Sequence, residues 1–268
     1  AGHTGSLDPL ATGMLPICLG EATKLAGEML SQRKCYRFGV QLGERTDTGD
    51  AEGSVIERGA VPTLTRAAVE AQLEQLRGEQ QQVPPMYSAL KRAGEPLYRL
   101  ARRGQSVERA ARAITIERLE LLELHQDRLE LRLLCSKGTY VRVLAEDLAR
   151  ALGSCGRLYS LRREFVEPFD AEPMHTLEQL EAAGEVQHWP LLPPERALPH
   201  LPALLLTAVA LTALVHGQPV QGVATHAALW RLYDAGERFV GLGQSDSAAT
   251  LRVRRLFSSA LAASDART

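Results

Sequence analysis

The sequence predicts an α+β protein: a mixed, largely antiparallel sheet with flanking helices, followed by a small, mostly β C-terminal module. Three observations predict it. Apolar residues alternate in several segments before residue 170, and helical periodicity is confined to a few separated stretches with no regular βαβ alternation. From about Leu204 the chain turns to short strands, glycine turns and one short helix.

Met14 to Leu30 carries Leu15, Leu19, Leu25, Met29 and Leu30 at helix-like spacing, which predicts a short amphipathic helix with Pro16 near its start. Cys35 to Leu42 alternates Tyr36, Phe38, Val40 and Leu42 with polar or small residues and predicts a half-buried strand. Arg45 to Gly53 is turn-rich. Thr65 to Leu76 predicts a helix, with Thr65 as N-cap and Gly78 just past the end. Val83-Pro84-Pro85-Met86 interrupts regular structure, and Pro96 to Arg103 forms a short helix presenting Arg99, Arg102 and Arg103 together. Ile114 to Leu124 and Arg128 to Cys135 read as a hairpin, Tyr140 to Leu152 as a helix closed by Gly153, and Arg157 to Val166 as a strand. The Pro-punctuated stretch from Glu167 to Pro202 is a connector with one helix, Leu177 to Ala183; a last short helix covers Ala208 to His216.

An apolar fraction of 45% and a charged fraction of 24% are those of a soluble globular protein. No apolar run approaches the roughly 20 residues that cross a bilayer, so no membrane span is expected. Cys18, Cys35, Cys135 and Cys155 are widely spaced and show no zinc-type pattern, which points to reduced thiols in a cytoplasmic protein and to no metal. The formal net charge of −1 hides segregation. Tyr87 to Ala113 holds seven Lys/Arg against two Glu, and Arg132 to Arg163 seven against two acids, whereas Glu164 to His200 holds eight acids against one Arg. Two basic stretches on an otherwise acidic chain mark a surface for a polyanion.

The run Gly2-His3-Thr4-Gly5-Ser6-Leu7-Asp8-Pro9-Leu10-Ala11-Thr12-Gly13 cannot continue as helix or strand, so Asp8 sits on a tight loop. A loop carboxylate with small neighbours can meet a bulky substrate as nucleophile or general base. Taken alone, Asp8 reads better, with His3 and Thr4, as a cap of the Met14 helix or its loop.

The whole run resembles the catalytic motif of the TruB-type tRNA pseudouridine-55 synthases, whose motif Asp is the nucleophile. The likeness continues downstream. Lys34-Cys35-Tyr36-Arg37 is similar to the family strand whose Tyr stacks on the target uracil, and Gly43 to Gly53 to its next signature loop. Pro85 to Lys91 and the arginines after it resemble the RNA-gripping insertion, about 84–113 here. Ser136 to Arg142 resembles the segment whose Tyr lines the pocket and whose Arg pairs with the catalytic Asp, and Leu158 to Arg163 the strand whose Leu packs on the flipped base. The resemblance thus implies Asp8, Tyr36 and Arg142 as catalytic residues, and His3, Tyr140, Leu161, Lys91, Arg99 and Arg102 as substrate-binding ones. His3 would fill the space the uridine leaves, and Arg142 would hold Asp8 ionised and oriented.

The implied reaction is isomerisation of uridine 55 in the T-arm loop of tRNA after the base is flipped out. Asp8 acts covalently or as an acid–base partner, at C1′ of the ribose or C6 of the base. No redox step or group transfer occurs, so no cofactor is expected, and no obligate protein partner; the chain is expected to be a monomer. The resemblance places a catalytic domain over 1–203 and a PUA-like RNA-binding module over 204–268. Family members carry a segment with a Lys-Pro-containing strand ahead of the motif, and this chain, opening on Ala1, is expected to lack it. Read without the resemblance, a purely RNA-binding protein would need the basic surface but not Asp8, Tyr36 and Arg142 together, and a carboxylate hydrolase would need a second acid opposite Asp8 that the sequence does not offer.

Overall fold

The alternating segment around Tyr36 becomes the central strand Lys34–Leu42 of a six-stranded sheet. The order across the sheet is Thr12–Gly13, Gly156–Val166, Lys34–Leu42, Arg128–Cys135, Arg112–Leu124 and Gly78–Gln82. All neighbours are antiparallel except Thr12–Gly13, which runs parallel to Gly156–Val166. The register sets rows across the central strand: Tyr36 stands between Leu133 and Arg163, and Phe38 between Leu131 and Leu161.

The computed structural model describes residues 1–30, 32–185 and 188–258. These described residues form two compact units, one within Gly5–Leu15 and 32–170, the other within Ala1–Thr4, Pro16–Leu30, 171–185 and 188–258.

In the first unit two helices cover one face of the sheet. Val141–Ala151 buries Val141, Leu144, Ala145, Leu148 and Ala149, and Arg66–Leu76 buries Val69 and Leu73, all in one core with Phe38, Val40, Leu131 and Leu158. Burying each Leu or Phe contributes about 1.5–3 kcal/mol, which makes this face the main source of stability. The Thr65 hydroxyl accepts from the Ala68 amide at 3.2 Å, the N-cap expected from sequence. The Arg112–Leu124 and Arg128–Cys135 strands form the expected hairpin, and the helix of the basic stretch is Leu97–Arg102.

Two expectations are corrected. The Lys34–Leu42 strand is not half-buried: Cys35 and Gly39 are covered as well as Tyr36, Phe38 and Val40, because Tyr159 lies over Gly39 and the strand sits between two neighbours. Nor is Met14 to Leu30 one helix. Ile17–Cys18 instead pairs as a strand with Gly2–His3, a 3-10 turn occupies Gly20–Leu25, and only Ala26–Met29 is α-helical. Pro16 and the left-handed Gly20 (φ +52°) break the backbone run, and one α turn is all that follows. The edge strands Gly78–Gln82 and Thr12–Gly13 lie outside the sequence expectation, since neither shows apolar alternation.

The second unit contains the four-stranded sheet Ala203–Leu205, Leu229–Tyr233, Phe239–Ser245 and Leu251–Leu256, with the helix Ala208–Val215 capped by Thr207. Leu211, Leu214, Trp230, Leu232 and Val240 form its core, and the buried Trp230 indole donates to the Ser245 hydroxyl at 2.7 Å. The Leu177–Glu185 helix lies in this unit. Lys24 donates to the Leu256 carbonyl at 2.8 Å, tying the 3-10 turn to the last strand. All four cysteines are free thiols, three of them buried. No helix among the described residues is long and apolar enough to cross a membrane.

Gly156 is where the long helix meets the sheet. A Cβ there would lie 2.4 Å from Ala149 Cβ and 3.1 Å from the Gln41 carbonyl. Gly156→Ala should therefore lower stability by about 1–3 kcal/mol, read as a reduced urea midpoint at unchanged m-value.

Candidate active site

The glycines on either side of Asp8 allow a compact loop, closed by the Ala11 amide donating to the Asp8 carbonyl at 2.8 Å. Gly13 has φ +100°, and a Cβ there would fall 2.1 Å from the Arg163 carbonyl. Only glycine lets the loop approach that strand so closely.

Arg142, the second residue of the Val141–Ala151 helix, reaches this loop from below. Its Nε donates to Asp8 Oδ2 at 2.8 Å and its Nη2 to Asp8 Oδ1 at 3.1 Å, a two-pronged grip on the carboxylate. The same guanidinium donates from Nη1 to the Thr48 carbonyl at 2.9 Å and from Nη2 to the Tyr87 carbonyl at 2.7 Å. A second carboxylate, Asp50, stands 3.8 Å from Nε. The Arg142 side chain is 6% exposed and that of Asp8 34%. Arg142 thus holds one side of the Asp8 carboxylate and leaves the other open to a substrate.

The Tyr36 ring is buried at the end of the central strand, next to Leu133 and Arg163. Burial pushes its phenol up to about 12, with smaller contributions from Cys135 and from the Asp8 carboxylate, so the hydroxyl is neutral at ordinary pH. Leu161, also buried, stands one row further along the same face. Tyr140 precedes the Arg142 helix; its amide donates to Gln82 Oε1 at 2.7 Å and its carbonyl accepts from Gln82 Nε2 at 3.2 Å. Burial raises its phenol too. Asp8, Arg142, Tyr36, Tyr140 and Leu161, drawn from four separate segments, therefore lie in one unit, and Asp8 is close enough to influence both phenols.

His3 belongs to the other compact unit, where it pairs with Ile17. Lys91, Arg99 and Arg102 are exposed on the basic insertion, Lys91 in the short hairpin Lys91–Arg92 with Glu95–Pro96, the two arginines on the Leu97–Arg102 helix. Arg103, expected beside them, is paired with Glu95 at 2.8 Å. Among the described residues no cluster of three His, Cys, Asp or Glu side chains could hold a metal ion.

Sequence reasoning missed three contributors. Asp50 faces Arg142 and is fixed by the Thr48 hydroxyl (2.6 Å) and the Glu52 amide (3.1 Å). Gln82 anchors Tyr140, and Arg163 bonds the loop at Met14 O (2.6 Å) and Gly5 O (3.0 Å). Asp50 and Arg163 lay in runs already singled out, the turn-rich loop and the Leu158 to Arg163 strand, without a role of their own; Gln82 carried no local signal, being an edge-strand polar residue.

A partly exposed carboxylate gripped by a buried guanidinium, in one unit with two tyrosines and a basic insertion, fits an RNA-modifying enzyme, and the relatives of the chain are of that class. Residues 1–141 match the model of the TruB family pseudouridylate synthase N-terminal domain, 142–198 that of the tRNA pseudouridylate synthase B C-terminal domain, and 202–257 that of the pseudouridine synthase II TruB C-terminal region. The tRNA pseudouridine synthase B of Chromohalobacter salexigens is 50% identical over 273 residues, covering 99% of this chain and 87% of that protein. That of Stutzerimonas stutzeri is 47% identical over 265 residues, covering 97% and 87%. Solved structures share the fold at lower identity. They include the Cbf5-Nop10-Gar1 complex (TM-score 0.71, 22% identity, 95% of this chain and 75% of that one) and an H/ACA RNP bound to a substrate RNA containing 2′-deoxyuridine (0.69, 20%, 96% and 75%). The chain belongs to the TruB family of pseudouridylate synthases and isomerises uridine to pseudouridine in tRNA.

The buried Tyr36 phenol has a consequence for stability. Its folded value of about 12 lies above the ordinary 10.0. The folded chain therefore holds a proton that the unfolded chain releases, and this contribution is complete below pH 10 and lost as pH rises toward 12. Tyr36→Phe should lose less stability than wild type between pH 10 and 12, measured as the denaturant midpoint against pH.

Proposed function

We propose that the chain acts on uridine 55 in the T-arm loop of tRNA, flipping the base into the pocket of Tyr36, Tyr140 and Leu161, with Asp8 as the reacting carboxylate. The observation that carries this reading is the two-pronged Arg142–Asp8 contact, which fixes a partly exposed carboxylate on a buried counter-charge. The base leaves its stack at a cost of a few kcal/mol and is received by a tyrosine face and the Leu161 wall. The N1–C1′ bond breaks, the uracil turns while held, and the C5–C1′ bond forms; C5 loses its proton and N1 gains one, so no atom is added or removed. Asp8 serves this either by attack at C1′ or at C6. Arg142 keeps the carboxylate oriented throughout, and the neutral Tyr36 hydroxyl is available to relay a proton.

Grip on the tRNA is assigned to two surfaces. One is the insertion, through Lys91, Arg99 and Arg102. The other is the PUA-like module over 204–268, whose Leu251–Leu256 strand exposes Arg252, Arg254 and Arg255. His3 is read as the side chain that occupies the space left by the flipped uridine. The protein works as a cytoplasmic monomer without cofactor or obligate protein partner.

Tritium release from tRNA carrying 5-tritiated uridine tests the chemistry. Asp8→Ala should slow release by at least about 10³-fold while tRNA binding persists; equal release by both proteins would exclude Asp8 from the reaction. Mapping the product should place pseudouridine at position 55. The double variant Arg99→Ala with Arg102→Ala should weaken tRNA binding and make the salt dependence of log K shallower by about 1–2, with an unchanged slope removing these arginines from the interface.

A further inference from the structure

Arg163 is among the largest fully buried side chains of the protein, at 2% exposure, and the reaction described above gives it no role. We propose that Arg163 is a positioning residue that sets the Asp8 loop against Tyr36. This deepens the assignment of Asp8 as the reacting carboxylate and rests on it.

The geometry of the guanidinium carries the inference. Nε donates to the Met14 carbonyl at 2.6 Å and Nη2 to the Gly5 carbonyl at 3.0 Å, so one rigid fork joins the two ends of the loop that contains Asp8. The Arg163 backbone adds a third tie, its carbonyl accepting from the Met14 amide at 2.8 Å, where Gly13 pairs with it in parallel. The glycine at 13 lets this approach occur, since a Cβ would collide with the same carbonyl. Across the strand Arg163 stands opposite Tyr36, where its charge pulls the Tyr36 phenol downward against the effect of burial. One residue is therefore bonded through its side chain to the loop of the reacting carboxylate and paired by strand register with the aromatic wall that receives the base.

Stability alone does not call for a charge here. Burying a guanidinium costs several kcal/mol, and an apolar side chain of similar volume is often neutral or stabilising in such a place. What the planar fork adds is fixed geometry, because its donors leave at set angles, whereas an ammonium is a point charge on a flexible stem. A misplacement of about 1 Å at reacting groups costs about 10²-fold in rate.

The test compares wild type with Arg163→Lys, Arg163→Met and Asp8→Ala. It measures single-turnover pseudouridine formation at saturating enzyme, tRNA affinity by filter binding, and thermal unfolding. Positioning predicts folded Arg163 variants with tRNA affinity within about threefold of wild type, and rates lower by about 10-fold for Lys and about 10²-fold for Met. Wild-type rates in folded Arg163→Met overturn the proposal. So does a rate loss matched by an equal loss of affinity, or failure of both variants to fold, which would assign Arg163 to stability. If Asp8→Ala still forms pseudouridine, it is the reading of Asp8 that fails, whatever the Arg163 variants do.

Discussion

Arg142 sits at the first turn of a helix and under the floor of the site, and the surrounding segments are arranged around its donors. Taking such a charge out of water costs several kcal/mol, which only close, well-aimed acceptors offset. Those acceptors come from three places far apart in sequence: the Asp8 carboxylate, the Thr48 carbonyl and the Tyr87 carbonyl. Satisfying the guanidinium therefore draws together the glycine loop, the turn-rich loop before Asp50 and the entrance to the basic insertion. The demand of one buried cation organises the candidate site.

The sheet makes that demand geometrically possible. Pairing of Lys34–Leu42 with both neighbours sets Tyr36, Leu161 and Arg163 on one face, and the close approach at Gly156 seats the Val141–Ala151 helix on it. The helix start, with Tyr140 and Arg142, is thereby delivered beside the strand ends. A rigid scaffold carries side chains whose mutual distances the chemistry needs, while the exposed arginines ride on a short hairpin and a short helix.

Much of the fold was legible where local physics is strong. Thr65 as N-cap, the amphipathic stripe from Val141 to Leu148 and the hairpin around His125-Gln126-Asp127 are local patterns, and the structure keeps them. The Met14–Leu30 stretch misled because its spacing was helical, while Pro16, Gly20 and pairing of Ile17–Cys18 with Gly2–His3 directed its backbone otherwise. The strand Gly78–Gln82 escaped notice because an edge strand of Gly and Gln carries no apolar alternation. In the site, Asp8, Tyr36 and Arg142 were visible through their motifs. Asp50, Gln82 and Arg163 were not, because each acts through a partner remote in the chain.

By itself the sequence determined the chemistry on offer: a carboxylate on a loop that glycines keep flexible in choice of φ, tyrosines on alternating or capping positions, and arginines gathered in two stretches. These follow from residue type and near-neighbour sterics, which need no tertiary context. The motif around Arg142 also marked it as the partner of Asp8. Only the tertiary structure decided what the other cations of the basic stretch from Arg132 to Arg163 do, above all that Arg163 bonds the ends of the Asp8 loop. That choice rests on burial and strand register, because a buried guanidinium persists only where folding brings acceptors from distant segments to within hydrogen-bonding distance.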